Sequence, residues 1–148
     1  MGNGISYEDY LEEHESLIYS VVGVSMLPLL RERKDLFIVK KKGRERCKAG
    51  DVVLYRRPPD QYVLHRIIGV RADDYVVLGD NCIAKEYGIT DGDIIGVMTG
   101  YVRDGKERSV TDAAYMRYTW LWMHTTPLRI AVKKAIMLGK CGIKRLKS

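Results

Sequence analysis

Ser25 stands in the segment Gly23-Val24-Ser25-Met26-Leu27-Pro28, between a glycine and a proline and shortly before a β-branched run. A serine in such a turn lies where main-chain N–H groups can point at a reacting carbonyl. The same composition is also ordinary turn chemistry. His65 falls in Tyr62-Val63-Leu64-His65-Arg66-Ile67-Ile68. Strand alternation puts Val63, His65 and Ile67 on one side and Leu64, Arg66 and Ile68 on the other. A lone histidine on an apolar strand ordinarily fills a core or surface position, although its ordinary pKa also suits it to general-base work. The third segment, Leu78-Gly79-Asp80-Asn81, reads by itself as a β-turn at a strand end.

Taken in order, these segments are far more specific. Gly-x-Ser-Met-x-Pro, then Gly50-Asp51-Val52-Val53, then His65-Arg66, then Gly79-Asp80-Asn81 resembles the signal peptidase I family from about Val21 to Gly96. His65 stands where ordinary bacterial members carry a base lysine, so the resemblance is to the histidine-type branch. The short length is similar to clostridial members that lack an anchor. The resemblance implies a coiled antiparallel β domain of the signal-peptidase and SOS-repressor type. It implies Ser25 as nucleophile and His65 as base, with Met26 and Pro28 shaping the turn and the substrate cleft. Gly23 replaces a serine whose hydroxyl serves some members as an oxyanion donor, so a main-chain group must serve here. The branch's third catalytic residue is an aspartate at the position of Glu86. A Glu can orient an imidazole, but its extra methylene changes the reach, so Asp80 stays open as the orienter beside Glu86. A serine hydroxyl is a weak nucleophile at neutral pH and needs a base titrating near the working pH, which imidazole is. No metal or organic cofactor is implied.

The elements that must position these residues follow from the pattern. Ser6 is placed to cap a helix over residues 6–19, with acids crowding its first turns and apolar residues recurring at helical spacing. From Val21 to about Val110, short β-branched runs alternate with Gly, Asp and Pro turns. LFIVK, KAGDVVLYRR, YVLHRIIGVR, YVVLGDN and DIIGVMTGYV predict an antiparallel, barrel-like or coiled β domain. Thr111 or Asp112 is placed to cap a helix from about Ala113 to Met123, and Pro127 to start a second, basic helix ending near Gly139. The expected division is an acidic helical segment (1–20), a mainly β peptidase-like domain (21–110) and a basic helical tail (111–148).

Length and composition narrow the classes. One domain is expected from 148 residues, and 46% hydrophobic with 30% charged residues excludes a disordered chain. The cysteines Cys47, Cys82 and Cys141 are three and widely spaced, which fits neither a disulfide framework nor a zinc site and favours a reducing compartment. The acidic N-terminal residues are unlike a secretory signal, and Trp120 to Leu138 is too interrupted by charge and Pro127 to span a bilayer. The net charge of +6 is uneven: after Asp112 the chain carries no acid and eight Lys and Arg residues. That asymmetry points to a polyanionic neighbour. An anionic membrane surface is the expectation for residues 127–147, and packing on the β domain for residues 113–124. Nucleic acid fits by charge alone, without a recognisable motif. The expectation is a cytoplasmic or membrane-peripheral serine endopeptidase acting on a peptide or protein. A self-cleaving regulator of the same fold and a non-enzymatic membrane- or nucleic-acid-binding module are the competing readings.

Overall fold

The computed structural model describes residues 4–147. They form a short helix, α1 (Tyr7–His14), eight strands and a long C-terminal helix, α2 (Ala113–Lys147). The strands are β1 (Ser16–Ser20), β2 (Leu36–Lys41), β3 (Val52–Arg57), β4 (Gln61–Val70), β5 (Tyr75–Leu78), β6 (Glu86–Ile89), β7 (Ile94–Arg103) and β8 (Lys106–Ser109). All neighbours are antiparallel, in the order β1-β2-β7-β3-β4-β5-β6, with β8 on β7. The chain is therefore mainly β, with a helix at each end.

Strand β3 shows why the sheet is coherent. Val52, Val53, Leu54 and Tyr55 are all buried. Val52 and Leu54 belong to one core cluster with Leu30, Phe37 and Met98, while Val53 and Tyr55 belong to another with Ile67, Tyr75 and Val77. A continuous apolar run is what a central strand covered on both faces requires. Register places Val53 opposite His65 and Leu54 opposite Leu64, so the apolar pattern of β3 fixes which way β4 presents its histidine.

Two helical expectations are corrected. The predicted helix over residues 6–19 stops at His14. Ser6 does cap it, accepting from the Asp9 N–H at 3.1 Å, but Glu15 turns left-handed at φ 62° and returns its N–H to the Leu11 carbonyl. Residues 16–20 then pair with β2, with Leu17 buried and Ile18 exposed. Leu17 and Ile18 fit a helical period and a strand alternation alike, so only the β2 partner decides between them.

Pro127 does not start a second helix; it lies inside a single helix of 35 residues, roughly 50 Å long at 1.5 Å per residue. Side chains serve carbonyls of the preceding turn: Thr125 Oγ1 donates to Leu121 at 2.7 Å, and Thr126 Oγ1 and Arg129 Nη2 donate to Trp122 at 2.8 and 2.7 Å. The carbonyl that Pro127 leaves without its helical donor is that of Met123, four residues before it, so these side chains add second donors to Leu121 and Trp122 and do not replace the missing bond. At the start of α2, the Asp112 carbonyl accepts from Met116, while its carboxylate bonds the Ser109 N–H instead of capping the helix. Among the described residues no helix is long and apolar enough to cross a membrane.

The left-handed Glu15 gives a local test. Glu15→Gly is expected to raise unfolding stability by about 0.5–1 kcal/mol, because glycine tolerates that conformation at a helix end. Urea titration of the two proteins measures it.

Candidate active site

The Ser25 turn is held from outside itself. The Leu27 N–H donates to the Val24 carbonyl and the Leu30 N–H to the Met26 carbonyl, which wraps residues 24–30 tightly. Gly23 leads in at φ 84°, a conformation open to glycine. Its N–H donates to Glu32 Oε1 at 3.2 Å. The loop after β5 then fastens the turn. The Asn81 N–H donates to the Ser25 carbonyl at 2.8 Å, and Asn81 Nδ2 to the Val24 carbonyl at 3.1 Å.

Gly79 is the point of convergence. A Cβ there would lie 2.7 Å from the Ser25 carbonyl oxygen, 2.7 Å from Cys82 Sγ and 3.0 Å from His65 Nε2. Only glycine lets the three segments meet, so the first and third motifs are spatial neighbours of the histidine. Ser25, Met26, Arg57 and His65 all line one cleft of about 340 Å³, whose walls are otherwise largely apolar and include Tyr7 and Tyr62. No hydrogen bond joins Ser25 Oγ to the imidazole; such contacts commonly tighten only when substrate is bound. Of the residues expected to shape the cleft, Met26 lines it. Gly23 and Pro28 do not line it, and the Pro28 carbonyl accepts from Arg103 instead.

The two carboxylates part company. Asp80 does not bond His65. Both its oxygens face Arg66, at 2.8 Å each, and the side chains of this pair are 1% exposed. Tyr118 Oη adds a third donor at 2.7 Å. The reason lies in β4: Arg66 follows His65 and points to the opposite face, so the aspartate that meets Arg66 is turned from the imidazole. Arg66 also donates to the Gly50 carbonyl at 2.8 Å and Thr119 Oγ1 at 3.2 Å. Burial alone would lower the Arg66 pKa, but Asp80 more than offsets this and raises it.

Glu86, at the start of β6, lies on the imidazole side but reaches it indirectly. Its carboxylate takes a bidentate contact from Arg57, at 2.8 Å to each oxygen, and a close hydrogen bond from Tyr55 Oη. Tyr55 Oη in turn stands 3.3 Å from His65 Nδ1. The Arg57 contact is the largest influence on Glu86 and holds its carboxyl below the usual range. His65 is held below its ordinary value, first by burial and then by the Arg57 charge, against the upward pull of Glu86 and Asp80.

Tyr55 and Arg57 are not singled out by the sequence, and Asn81 is marked there only as part of the Gly79-Asp80-Asn81 turn. The available signal was Tyr55-Arg56-Arg57 ending a buried apolar run, where a tyrosine hydroxyl needs a partner. No group of three or more His, Cys, Asp or Glu residues gathers into a metal-holding cluster among the described residues. Cys47, Cys82 and Cys141 are all free thiols. No family model matches this chain, and neither a curated protein nor a solved structure matches it.

The division of labour between the carboxylates is measurable. Asp80→Asn leaves Arg66 buried without its counter-charge and is expected to cost about 3–5 kcal/mol of stability. Glu86→Gln, at a partly exposed position, is expected to cost under about 1 kcal/mol. Parallel denaturant unfolding of the two variants compares them, and equal losses would contradict the assignment.

Proposed function

We propose that this protein is a serine endopeptidase of the histidine-based kind, with Ser25 as nucleophile and His65 as general base. The observation that carries the reading is that Ser25 and His65, from separate segments, line one cleft and both approach Gly79 of a third. In this scheme Ser25 Oγ attacks a peptide carbonyl while His65 Nε2 takes its proton. The tetrahedral oxyanion is met by main-chain N–H groups, of which that of Ser25 donates to no other group among the described residues. The imidazolium returns the proton to the leaving amine, and water then releases the acyl group by the same route. The apolar cleft walls favour an extended peptide with apolar side chains next to the cleavage point.

Ser25→Ala and His65→Ala are each expected to abolish cleavage of a peptide library, read by mass spectrometry, without unfolding the chain. Wild-type cleavage by the Ser25→Ala protein would overturn the reading. Because burial depresses the His65 pKa, the base stays unprotonated below its ordinary 6.5, so the acid limb of the rate profile is expected under that pH.

The second half of α2 favours a working place on an anionic membrane surface, at the cytoplasmic leaflet. Leu128, Val132 and Ile136 form one helical stripe and are 66%, 49% and 52% exposed. Basic residues flank it and acids are absent after Asp112. Tyr115, Tyr118 and Trp122 are turned to the β domain, and Arg129 and Lys133 are spent on main-chain carbonyls there, which leaves Trp120 as the exposed aromatic. Each basic residue near such a surface contributes on the order of 1 kcal/mol. Flotation with phosphatidylglycerol vesicles is expected to carry the protein at low salt and to fail at high salt or with neutral lipid. Replacing Leu128, Val132 and Ile136 together by glutamate is expected to abolish flotation; unchanged flotation of that variant would reject the surface.

A further inference from the structure

Behind His65 lies a group whose hydrogen-bonding freedom is used up by its neighbours. Tyr55 is fully buried, with its ring in the core of β3, β4 and β5. Its hydroxyl touches three partners: Glu86 Oε1, Arg57 Nη2 at 3.4 Å and His65 Nδ1 at 3.3 Å. A phenol has one hydrogen to give and lone pairs to receive. Arg57 can only donate, and an ionised carboxylate can only accept. Glu86 is kept ionised by the bidentate Arg57, so the Tyr55 hydrogen goes to Glu86. Toward the imidazole, Tyr55 Oη is then left as an acceptor, and the ring nitrogen that faces it must carry the hydrogen.

We propose that Tyr55 is a positioning residue for His65, its hydroxyl relaying the Glu86 carboxylate to the imidazole and holding the neutral ring with its proton on Nδ1 and Nε2 bare. The inference deepens the peptidase reading and rests on it for its functional meaning. Nε2 is the end turned to Gly79, where a Cβ would lie 3.0 Å from it and 2.7 Å from the Ser25 main-chain carbonyl oxygen. A base must be unprotonated on the nitrogen that faces its nucleophile, and the neutral imidazole in water leans the other way, toward the Nε2–H form. The interposed hydroxyl also explains how a glutamate serves here without touching the ring: the tyrosine spans the gap, and Arg57 keeps the glutamate charged and aimed. As an imidazolium forms, Tyr55 Oη accepts from a stronger donor, and the carboxylate behind it offsets the new charge.

The test reads the tautomer directly, so it does not depend on finding a substrate. The chain has three histidines, His14, His65 and His124. Nitrogen-15 NMR of the imidazoles, with His65→Ala supplying the assignment, distinguishes a protonated Nδ1 from a protonated Nε2. Wild type is expected to show His65 with Nδ1 protonated. Tyr55→Phe removes one oxygen and keeps the buried ring, and is expected to lose that preference. Glu86→Gln provides a second variant at the other end of the relay and is expected to weaken it too. A wild-type His65 protonated on Nε2, or a folded Tyr55→Phe protein with an unchanged spectrum, would overturn the inference. On a peptide from the library assay, Tyr55→Phe is expected to lower kcat by about 10- to 100-fold with KM little changed. Should wild type cleave nothing while the tautomer result holds, the peptidase reading falls and the hydrogen-bond assignment stands.

Discussion

The buried pair Arg66–Asp80 is the constraint from which the candidate site follows. Two charges with almost no access to water gain little net stability over an apolar pair of similar volume, because desolvation consumes most of the Coulomb energy. What they supply is geometry. Arg66 is a planar fork, and its donors are met by the aspartate, the Gly50 carbonyl and Thr119. Tyr115 and Tyr118 lie near its guanidinium, with ring centroids at 5.9 and 5.6 Å. Strand β4, the turn before β3, the loop after β5 and helix α2 thus share one node, and displacement of any of them would leave a buried charge exposed to poor partners.

From that node, order spreads to the serine through main-chain atoms. Trp122 Nε1 donates to the Asp80 carbonyl at 3.0 Å and Arg129 Nη1 to the same oxygen at 3.2 Å, while Lys133 Nζ bonds Asn81. Asn81 then grips both Val24 and Ser25. The helix that follows the sheet is therefore part of the scaffold of the cleft over its first half. Alternation along β4 explains how one strand serves both purposes. His65 is delivered to the cleft and Arg66 to the helix because adjacent residues in a strand face opposite ways.

Much of this is legible in the amino-acid sequence. The runs at β2, β3, β4, β5 and β7 announce themselves by β-branched composition and by the Gly-Asp and Pro-Pro turns between them, signals that are local. Strands β1, β6 and β8 are short and carry no extended β-branched run, and exist because a partner edge is present, which no local pattern reports. The helical period through Leu17 gives way for that reason, since pairing with β2 overrides it, whereas the expected break between Met123 and Pro127 is absent because a single helix runs through the proline. Within the site, the family resemblance pointed to Ser25, His65 and Glu86, and left Asp80 open beside Glu86. The separation of Asp80 from Glu86, and the place of Tyr55 between Glu86 and the ring, depended on the register of β3 against β4 and on the reach of individual side chains.

The grip of Asn81 on Val24 joins residues 57 positions apart, and it has a consequence for the life of the chain during synthesis. Closing so long a loop costs chain entropy that is recovered only when many other contacts form with it. Ribosomal synthesis delivers the Ser25 segment first, the histidine strand next, the Gly79–Asn81 loop later and the clamping helix last. A nascent or unfolded chain consequently holds its reactive groups apart, tens of residues from one another and with no shared cleft. The arrangement of Ser25, His65 and the Gly79–Asn81 loop therefore exists only once the fold has brought these segments together.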